Sequence, residues 1–297
     1  NKLMKIILSN ALFCMSYILS AQFLSAATTW NGGTSSNFGT AGNWSNNSPG
    51  NAADDGSNNL ATINNGNTVD LPSDYTGTNT YNLAVGGNST LNASANFTAT
   101  GLTVQDTGVV NLTDGAFTLP KTSANNNGQG SNGTLSIQNG GILNISGGSH
   151  IFNERSTMNG TFRVTGSNAS IRMNQIGGGN GTFDFVFDAV GVSGVYGNLG
   201  FSWLSIGASS VIVDGSSYTG GAASFTLFDG HGAGNTPAAS NFTITGLGDE
   251  GVDWTLDITN NPNGPLNDTV ILNVIPEPST TILLGLGGLA LILRRKK

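Results

Sequence analysis

Acidic side chains are the first candidates for chemistry, because two carboxylates can act as acid and base or nucleophile on a glycosidic bond. Asp184 and Asp188 lie in the segment 182–188, a predicted strand. Phe183, Phe185 and Phe187 share one face of it and are expected to pack in the core, while Asp184 faces the other way. On one strand Asp184 and Asp188 would share a face about 13 Å apart, at about 3.3 Å per residue. A glycosidase pair needs roughly 5 to 9.5 Å, so the spacing favours a solvated Asp184 over a catalytic one.

The possible metal ligands are few. The two histidines, His150 and His231, are far apart, and neither has a partner at the spacing of a zinc site. Asp54, Asp55 and Asn58 place oxygen ligands in one predicted loop, as calcium requires, but the full EF-hand pattern and a nearby Glu are missing. A polar turn and a weak calcium site both fit this loop, and we expect no other cofactor and no catalytic residues.

Two tryptophans near the start of the candidate body, Trp30 and Trp44, lie in short Gly- and Asn-rich segments. One interpretation is that their rings cover the first coil of a repeat structure, because the ends of such structures must be covered. The other is that they stack on sugar rings at the surface. The sequence leaves both interpretations open.

The C-terminal segment has three parts. Pro276-Glu277-Pro278 is followed by a short polar spacer, by the apolar run Ile282–Leu293, and by Arg294, Arg295, Lys296 and Lys297. The prolines hold the chain extended, so a helix is predicted to begin after them. The apolar run would be roughly 18 Å long, short of the roughly 30 Å of a bilayer core. The cations predict that this end faces the cytoplasm.

This arrangement resembles the PEP-CTERM sorting signal of Gram-negative bacteria. In that family an exosortase, a membrane-embedded cysteine transpeptidase, recognises the triplet and cleaves near it. The resemblance implies that Pro276, Glu277 and Pro278 are recognition residues of an enzyme's substrate. The basic cluster 294–297 is expected to stop transfer through the membrane, because Lys and Arg stay on the cytoplasmic side. It also implies exosortase as a partner and an association with exopolysaccharide and biofilm.

The N-terminus predicts export as well. Lys2 and Lys5 precede the apolar stretch Ile6–Leu24, and Ser25-Ala26-Ala27 supplies the small residues that signal peptidase requires. We therefore predict a signal peptide over 1–27, with signal peptidase as a second partner and only transient contact with the inner membrane. The single cysteine falls within this segment, so the exported chain is predicted to contain no disulfide and no thiol nucleophile.

The charge of the body excludes one class of partner. The stretch 28–275 contains sixteen acidic and four basic residues, which gives a net charge of −12. The basic residues are Lys121, Arg155, Arg163 and Arg172. Nucleic acid would be repelled, because its binding demands a basic surface. Charged residues are 9% of the chain, against about 25% in typical domains. Gly, Asn, Ser and Thr replace them, which indicates an extracellular β protein.

An internal repeat gives the organisation of the body. Leu102–Gly115 aligns without gaps on Leu135–Gly148, at an offset of 33 residues. Asn111 and Asn144 are equivalent in this alignment. Their side chains could form a polar stack, or each could be solvated separately. A degenerate third copy is predicted with Phe162 and Val164 in its first strand and Ile171 and Met173 in its second. Short alternating strands separated by Gly and Asn, repeating every 27 to 33 residues, are typical of a solenoid.

The predicted fold is all-β, a right-handed parallel β-helix over 28–274 with a possible β cap at 222–274 and a sorting signal at 275–297 that contains a short transmembrane helix, 282–293. The body loosely resembles autotransporter-like passenger repeats. The alternative fold is an antiparallel sandwich or meander, since Asn139-Gly140 is a strong hairpin signal.

The function predicted from these features is that of an exported, non-catalytic structural or adhesive protein of the cell surface or extracellular matrix. The alternative is a polysaccharide-binding module, or a polysaccharide lyase or hydrolase on the same scaffold. For that enzyme, the acids of 184–188 and 54–58 would be the candidates.

Overall fold

A computed structural model of the chain describes residues 28–45, 47, 60–75, 82–119, 135–138, 140–176, 180–197, 203–204, 209–231, 238–259 and 268–275. Their regular structure consists of β-strands and two short 3-10 turns, Ala41–Asn43 and Ala239–Asn241. The first eleven strands are β1 Thr28–Thr29, β2 Leu60–Ile63, β3 Thr68–Leu71, β4 Asn82–Val85, β5 Thr90–Ala93, β6 Phe97–Thr98, β7 Gly101–Val104, β8 Val109–Leu112, β9 Phe117–Leu119, β10 Leu135–Ile137 and β11 Ile142–Ile145.

The second half of the body continues in the same way. Its strands are β12 Gly148–Met158, β13 Thr161–Thr165, β14 Ala169–Ile176, β15 Thr182–Val186, β16 Val195–Gly197, β17 Trp203–Leu204, β18 Ser210–Asp214, β19 Ala223–His231, β20 Phe242–Thr245, β21 Trp254–Thr259 and β22 Asp268–Val274.

The strands form two stacked sheets. Sheet 1 has the order β1-β2-β4-β7-β10-β12-β14-β16-β19-β22-β21, and sheet 2 has the order β20-β18-β15-β13-β11-β8-β5-β3. Neighbours from β1 to β19 in sheet 1 are parallel, as are all neighbours in sheet 2. The remaining strands β6, β9 and β17 belong to sheet 1 beside this path, where β6 pairs with β9, β9 with β12, and β17 with β14. The chain returns to each sheet one position further along, which is consistent with the predicted solenoid.

The repeat found in the sequence is a true structural repeat. Leu135 pairs with Leu102 in sheet 1, and Asn144 pairs with Asn111 in sheet 2, so the gapless alignment gives the register of two neighbouring coils. The inward residues Leu112 and Ile145 are 1% and 0% exposed and lie next to each other in register. A continuous column of inward apolar residues therefore joins these two coils.

The third copy was assigned to the wrong strands by the sequence pattern. Phe162 pairs with Leu143 in sheet 2, so β13 is the second strand of its coil and not the first. The first strand is the end of β12, where Met158 pairs with Ile137. Ile171 lies in the first half of β14, in register with His150, in the stretch of β12 that pairs with β9. It therefore belongs to a third strand of the coil and not to the second. The pattern failed because inward residues of both strands are equally apolar and the turn between β12 and β13 is very short.

Coil length varies more than the sequence suggested. Successive positions along sheet 2 are 22, 19, 33, 19, 21, 28 and 31 residues apart, so four of the seven coils are shorter than the predicted 27 to 33. The 33-residue interval contains residues 120–134, which lie outside the described part of the chain. Length changes are tolerated at the corners because the strands keep their register.

The core is a single apolar column between the sheets. Strands such as β4, β5, β8 and β11 bury every second residue, as the alternation of their sequences predicts. Phe rings stack through the interior with centroids 4.3 to 6.1 Å apart; these rings are Phe97, Phe117, Phe152, Phe162, Phe183 and Phe228. Aromatic pairs at these distances add to the stabilisation from burial.

The predicted hairpin at Asn139-Gly140 is absent. Gly140 has a φ of +78° and lies in a turn, but this turn joins β10 of sheet 1 to β11 of sheet 2. The glycine is needed because a left-handed conformation strains other residues. The strong turn signal therefore marks a corner of the coil, where the chain changes sheets.

The end of the body is antiparallel. β22 lies between β19 and β21 and runs antiparallel to both, within the range predicted for a β cap. The antiparallel alternative thus describes this end alone, while the sheets that precede it are parallel. The predicted segments 1–27 and 282–293 lie outside the described residues, within which no helix is long and apolar enough to span a membrane.

Candidate functional site: a polar ladder and the sorting segment

A column of polar side chains crosses the outer face of sheet 2. The register pairs Asp70 with Asn92, Asn92 with Asn111, and Asn111 with Asn144. Each of these residues lies between two buried residues of its strand and therefore points outward. We call the column the polar ladder; it comprises Asp70, Asn92, Asn111, Asn144, Arg163 and Asp184.

The amides of the ladder form one directed chain of hydrogen bonds. Asn144 Nδ2 donates to Asn111 Oδ1 at 3.3 Å, and Asn111 Nδ2 donates to Asn92 Oδ1 at 2.8 Å. Asn92 Nδ2 donates to Asp70 Oδ1 at 3.0 Å. An ionised carboxylate can only accept, so Asp70 fixes the orientation of Asn92 and, through it, of the next two amides.

Both ends of this chain are electrostatically matched. Hydrogen bonds from Asn92 and Ser36 hold the pKa of the Asp70 carboxyl below its ordinary value of 3.8, against a small opposing effect of burial. At the other end, the Thr165 hydroxyl donates to Asn144 Oδ1 at 2.9 Å. Aligned amides polarise one another, so the directed ladder stabilises a negative charge at its first position.

An ion pair continues the ladder. Arg163 is next to Asn144 in the register, and its Nε lies 2.7 Å from Asp184 Oδ2. Asp184 is only 9% exposed and is engaged by this guanidinium. Its partner in the enzyme hypothesis, Asp188, has another role. Its Oδ1 accepts from the N–H groups of Val190 and Gly191, at 2.7 and 2.8 Å.

The Asp188 carboxylate also joins two coils. Its Oδ2 accepts from the Ser167 N–H at 3.0 Å and from the Ser167 hydroxyl at 3.1 Å. Burial raises the pKa of Asp188, but the hydrogen bonds from Gly191, Val190 and Ser167 outweigh it and leave the pKa below 3.8. A carboxylate held ionised by four donors closes a turn and is not available as a general acid.

The ladder is flanked by hydroxyl side chains. Each ladder asparagine is followed two residues later by an outward Ser or Thr, namely Ser94, Thr113 and Ser146. The backbone N–H groups of these residues bond to the preceding coil, so they stack as a second column. Each amide keeps one N–H after bonding its neighbour, and the groups repeat at about 4.8 Å. This face can bond a linear polymer that is rich in hydroxyl groups.

The two tryptophans lie in the core. Trp30 and Trp44 are 3% and 2% exposed, and their rings pack edge to face at 5.1 Å. Trp44 also packs on Phe38 at 5.2 Å and donates its indole N–H to Phe38 O at 2.8 Å. Stacking on sugar needs an exposed ring face, so these positions cannot provide it. The rings instead cover the first coil.

His150 is a structural residue of the core. It is 1% exposed, its Nδ1 accepts from the Phe117 N–H at 3.2 Å, and its Nε2 bonds Gly147 O at 2.6 Å. The calcium candidates at positions 54, 55 and 58 lie outside the described residues. Within the residues that are described, no group of three or more His, Cys, Asp and Glu side chains could hold a metal ion.

The body connects to the C-terminal segment without a linker. Val274 pairs with Ala223 on one side and with Trp254 on the other. The next residue, Ile275, donates its backbone N–H to Asp253 O at 2.7 Å. The predicted recognition residues at 276–278 and the basic residues at 294–297 lie outside the described part, and their first member follows Ile275 directly in the sequence.

Comparison with known proteins identifies that segment. A family model described as the PEP-CTERM protein-sorting motif matches residues 274–297. The chain carries a PEP-CTERM sorting motif. This motif implies an exported protein that an exosortase processes, located in the cell envelope or at the surface. No curated protein and no solved structure matches the chain, so the comparisons say nothing further about the body.

The sequence repeat linked only two of the six members of the ladder. Asn111 and Asn144 were found through the 33-residue alignment, whereas Asp70 and Asn92 belong to coils of different length. The signal was present, since Thr90-Leu91-Asn92-Ala93 has the same pattern as Val109-Val110-Asn111-Leu112. An alignment that allowed the turns to vary in length would have found it.

Proposed function

We propose that this chain is a structural or adhesive protein of the cell surface or extracellular matrix, exported and then cleaved by an exosortase near Pro276–Pro278. The observation that carries the proposal is the PEP-CTERM motif at residues 274–297, joined directly to a folded all-β body. A signal peptide at 1–27 fits the same route. Exosortase and signal peptidase are the partners, and contact with the inner membrane is transient.

The body is proposed to be a right-handed parallel β-helix whose role is to present an extended surface. Its outer face offers amides and hydroxyls at a regular spacing, which suits many weak hydrogen bonds to exopolysaccharide. A net charge of −12 between residues 28 and 275 excludes nucleic acid as a partner on electrostatic grounds.

Sorting is tested with variants of the triplet in the bacterium that makes the protein. Glu277→Ala and Pro278→Ala should retain the C-terminal segment and accumulate in the inner-membrane fraction, whereas the unaltered chain should lose it. Asp106→Asn, at an exposed turn of the body, is the matched control and should be processed normally. Normal processing of both triplet variants would show that the triplet is not what the processing enzyme recognises, and the proposed exosortase cleavage would be wrong.

The runner-up function is a polysaccharide-binding module, and the regular outer face of sheet 2 is the observation that favours it. The test is binding and turnover of purified acidic and neutral polysaccharides, with and without calcium. Saturable binding without turnover supports the module. Turnover that Asp184→Asn abolishes would support a lyase or hydrolase, although Asp184 is bonded to Arg163 at 2.7 Å. Calcium dependence would point to the loop at 54–58.

A further inference from the structure

The two ends of the body differ in how well they are covered. At the N-terminal end, Trp30, Phe38 and Trp44 are at most 3% exposed. At the C-terminal end, Trp254, Val270 and Leu272 are buried, but five other apolar side chains are only partly buried. We define the end face as β20, the turn 246–253, β21 and the last two residues of the body. Its partly buried apolar residues are Phe242, Ile244, Leu247, Leu256 and Ile258.

The end face also has open strand edges and a cavity. Among the described strands, β20 pairs only with β18 and β21 pairs only with β22. A cavity of about 450 Å³ opens beside them. It is lined by glycines together with Tyr218, Leu247, Asp253, Val274 and Ile275. Unpaired edges and a partly exposed apolar surface are features of interaction sites.

The sorting segment leaves the body at this face. Val274 and Ile275 line the cavity, and Pro276 follows them in the sequence. Three residues span at most about 11 Å when fully extended. Any enzyme that grips Pro276–Pro278 while β22 stays paired must therefore touch the end face. The motif itself begins at residue 274, inside β22.

The charge of this end defines the chemistry of its partner. Between residues 209 and 275 the sequence contains seven acidic residues and neither Lys nor Arg. Asp249 and Glu250 are exposed in the turn. A second copy of the end face would meet like charges, so dimerisation through it is disfavoured. A basic surface with an apolar centre fits it.

We propose that the end face is a docking surface for the enzyme that removes the C-terminal segment, and that this enzyme presents a basic surface to it. The inference rests on the proposed function, because it assumes that the segment is processed. It adds a second recognition element to the triplet. The body would thus select its processing enzyme through its fold as well as through Pro276–Pro278.

The test neutralises the face and separately moves the triplet away from it. Asp249→Asn with Glu250→Gln should slow removal of the segment several-fold in the whole chain, followed by mass spectrometry after a pulse of synthesis. The matched control is Asp106→Asn with Asp114→Asn, which removes two charges five strands away in sheet 2, about 24 Å. Hydrogen exchange of β20 and β21 checks that the variants fold.

A flexible Gly-Ser linker of about eight residues between Ile275 and Pro276 provides the second arm. With the linker, the neutralised chain and the parent should be processed at equal rates, because the enzyme no longer touches the face. Equal rates without the linker, or faster processing after neutralisation, would overturn the inference. If the unmutated chain loses residues 282–293 neither with nor without the linker, the proposed function itself is wrong. If it loses them in both forms, the comparison tests only the docking surface.

Discussion

At the scale of single residues, His150 couples the stability of the body to pH. Burial lowers its pKa below the ordinary 6.5, although the Gly147 carbonyl and Asp114 favour the charged form. Its Nδ1 accepts from the Phe117 N–H, so protonation there would bring two donors together. The folded state therefore takes up its proton at a lower pH than the unfolded state does.

The direction of the effect follows from linkage. Below pH 6.5 the unfolded chain binds a proton on this histidine that the folded chain does not, so stability falls as the pH drops toward the folded pKa. We expect a lower urea midpoint at about pH 5 than at about pH 7.5, and a smaller difference in His150→Gln. The pKa values of Asp70, Asp74, Asp188 and Asp214 are all below 3.8, so these carboxylates lose their stabilisation only in stronger acid. An equal pH effect in the variant would contradict the assignment.

The middle amide of the polar ladder provides a second prediction. Asn111→Ala removes the hydrogen bonds to Asn92 and from Asn144, each worth about 0.5 to 1.5 kcal/mol net. We expect a loss of about 1 to 3 kcal/mol in the free energy of unfolding, measured by urea denaturation. Thr103→Ala, on the outer face of sheet 1, is the control and should change stability by less.

A double-mutant cycle sharpens this test. If the amides act as one polarised chain, Asn92→Ala and Asn111→Ala together should cost less than the sum of the single changes, because each already breaks their shared bond. Strict additivity would show that the side chains are separately solvated. That outcome would restore the interpretation of Asn111 and Asn144 as unconnected surface residues.

At the scale of elements, the corners between the sheets depend on close backbone contacts. A Cβ built on Gly141 would lie 2.4 Å from Val104 O, and one built on Gly160 would lie 2.4 Å from Gly141 O. The same contact recurs at Gly108 and Gly181, at 2.4 and 2.8 Å. These glycines therefore form a column in which each coil rests on the one before.

Filling this column should be costly. Gly141→Ala forces the corner apart, and we expect a loss of about 1 to 3 kcal/mol in the free energy of unfolding, as for other overpacked sites. Gly221→Ala is the matched control, since a Cβ there meets nothing within 4 Å and the change also restricts the unfolded chain. Equal stability of the two variants in chemical denaturation would show that the corner at Gly141 has room for a methyl group and that the close backbone contact is not required.

The positions of several strands could be predicted from the sequence, but which strand of its coil each segment forms could not always be predicted. Alternation in β7, β8, β10 and β11 and the equivalence of Asn111 with Asn144 gave the correct register. The assignment of Phe162 to the wrong strand shows the limit, because both inward columns are apolar and only turn length separates them. Which turns are short depends on contacts such as that of Gly160 on Gly141, which join residues distant in sequence.

At the scale of the whole molecule, the stacked Phe rings hold the coils together in a body predicted to lack cysteine after export. The sequence indicated that Phe183 and Phe185 pack in the core, and both are 0% exposed. It could not decide between capping and sugar stacking for Trp30 and Trp44. That choice depends on Phe38, which packs against Trp44 at 5.2 Å, and on the segment 36–38 that covers β3.

The sorting motif was readable because its parts are local: a triplet, an apolar run and a basic cluster in order. Only two of the six members of the polar ladder could be linked from the sequence, because the others come from coils of different length. The sorting signal is encoded in one contiguous segment, whereas the outer face of sheet 2 exists only after the coils have stacked.

Removal of the C-terminal segment from an exported body by an exosortase can be tested by mass spectrometry of the C-terminal peptide of the mature protein, taken from the cell envelope and from the medium. We expect an end near Pro276–Pro278, with Ile282–Leu293 absent. An intact Lys297 found only in the inner membrane would show that no such cleavage occurs and that the segment is a permanent anchor.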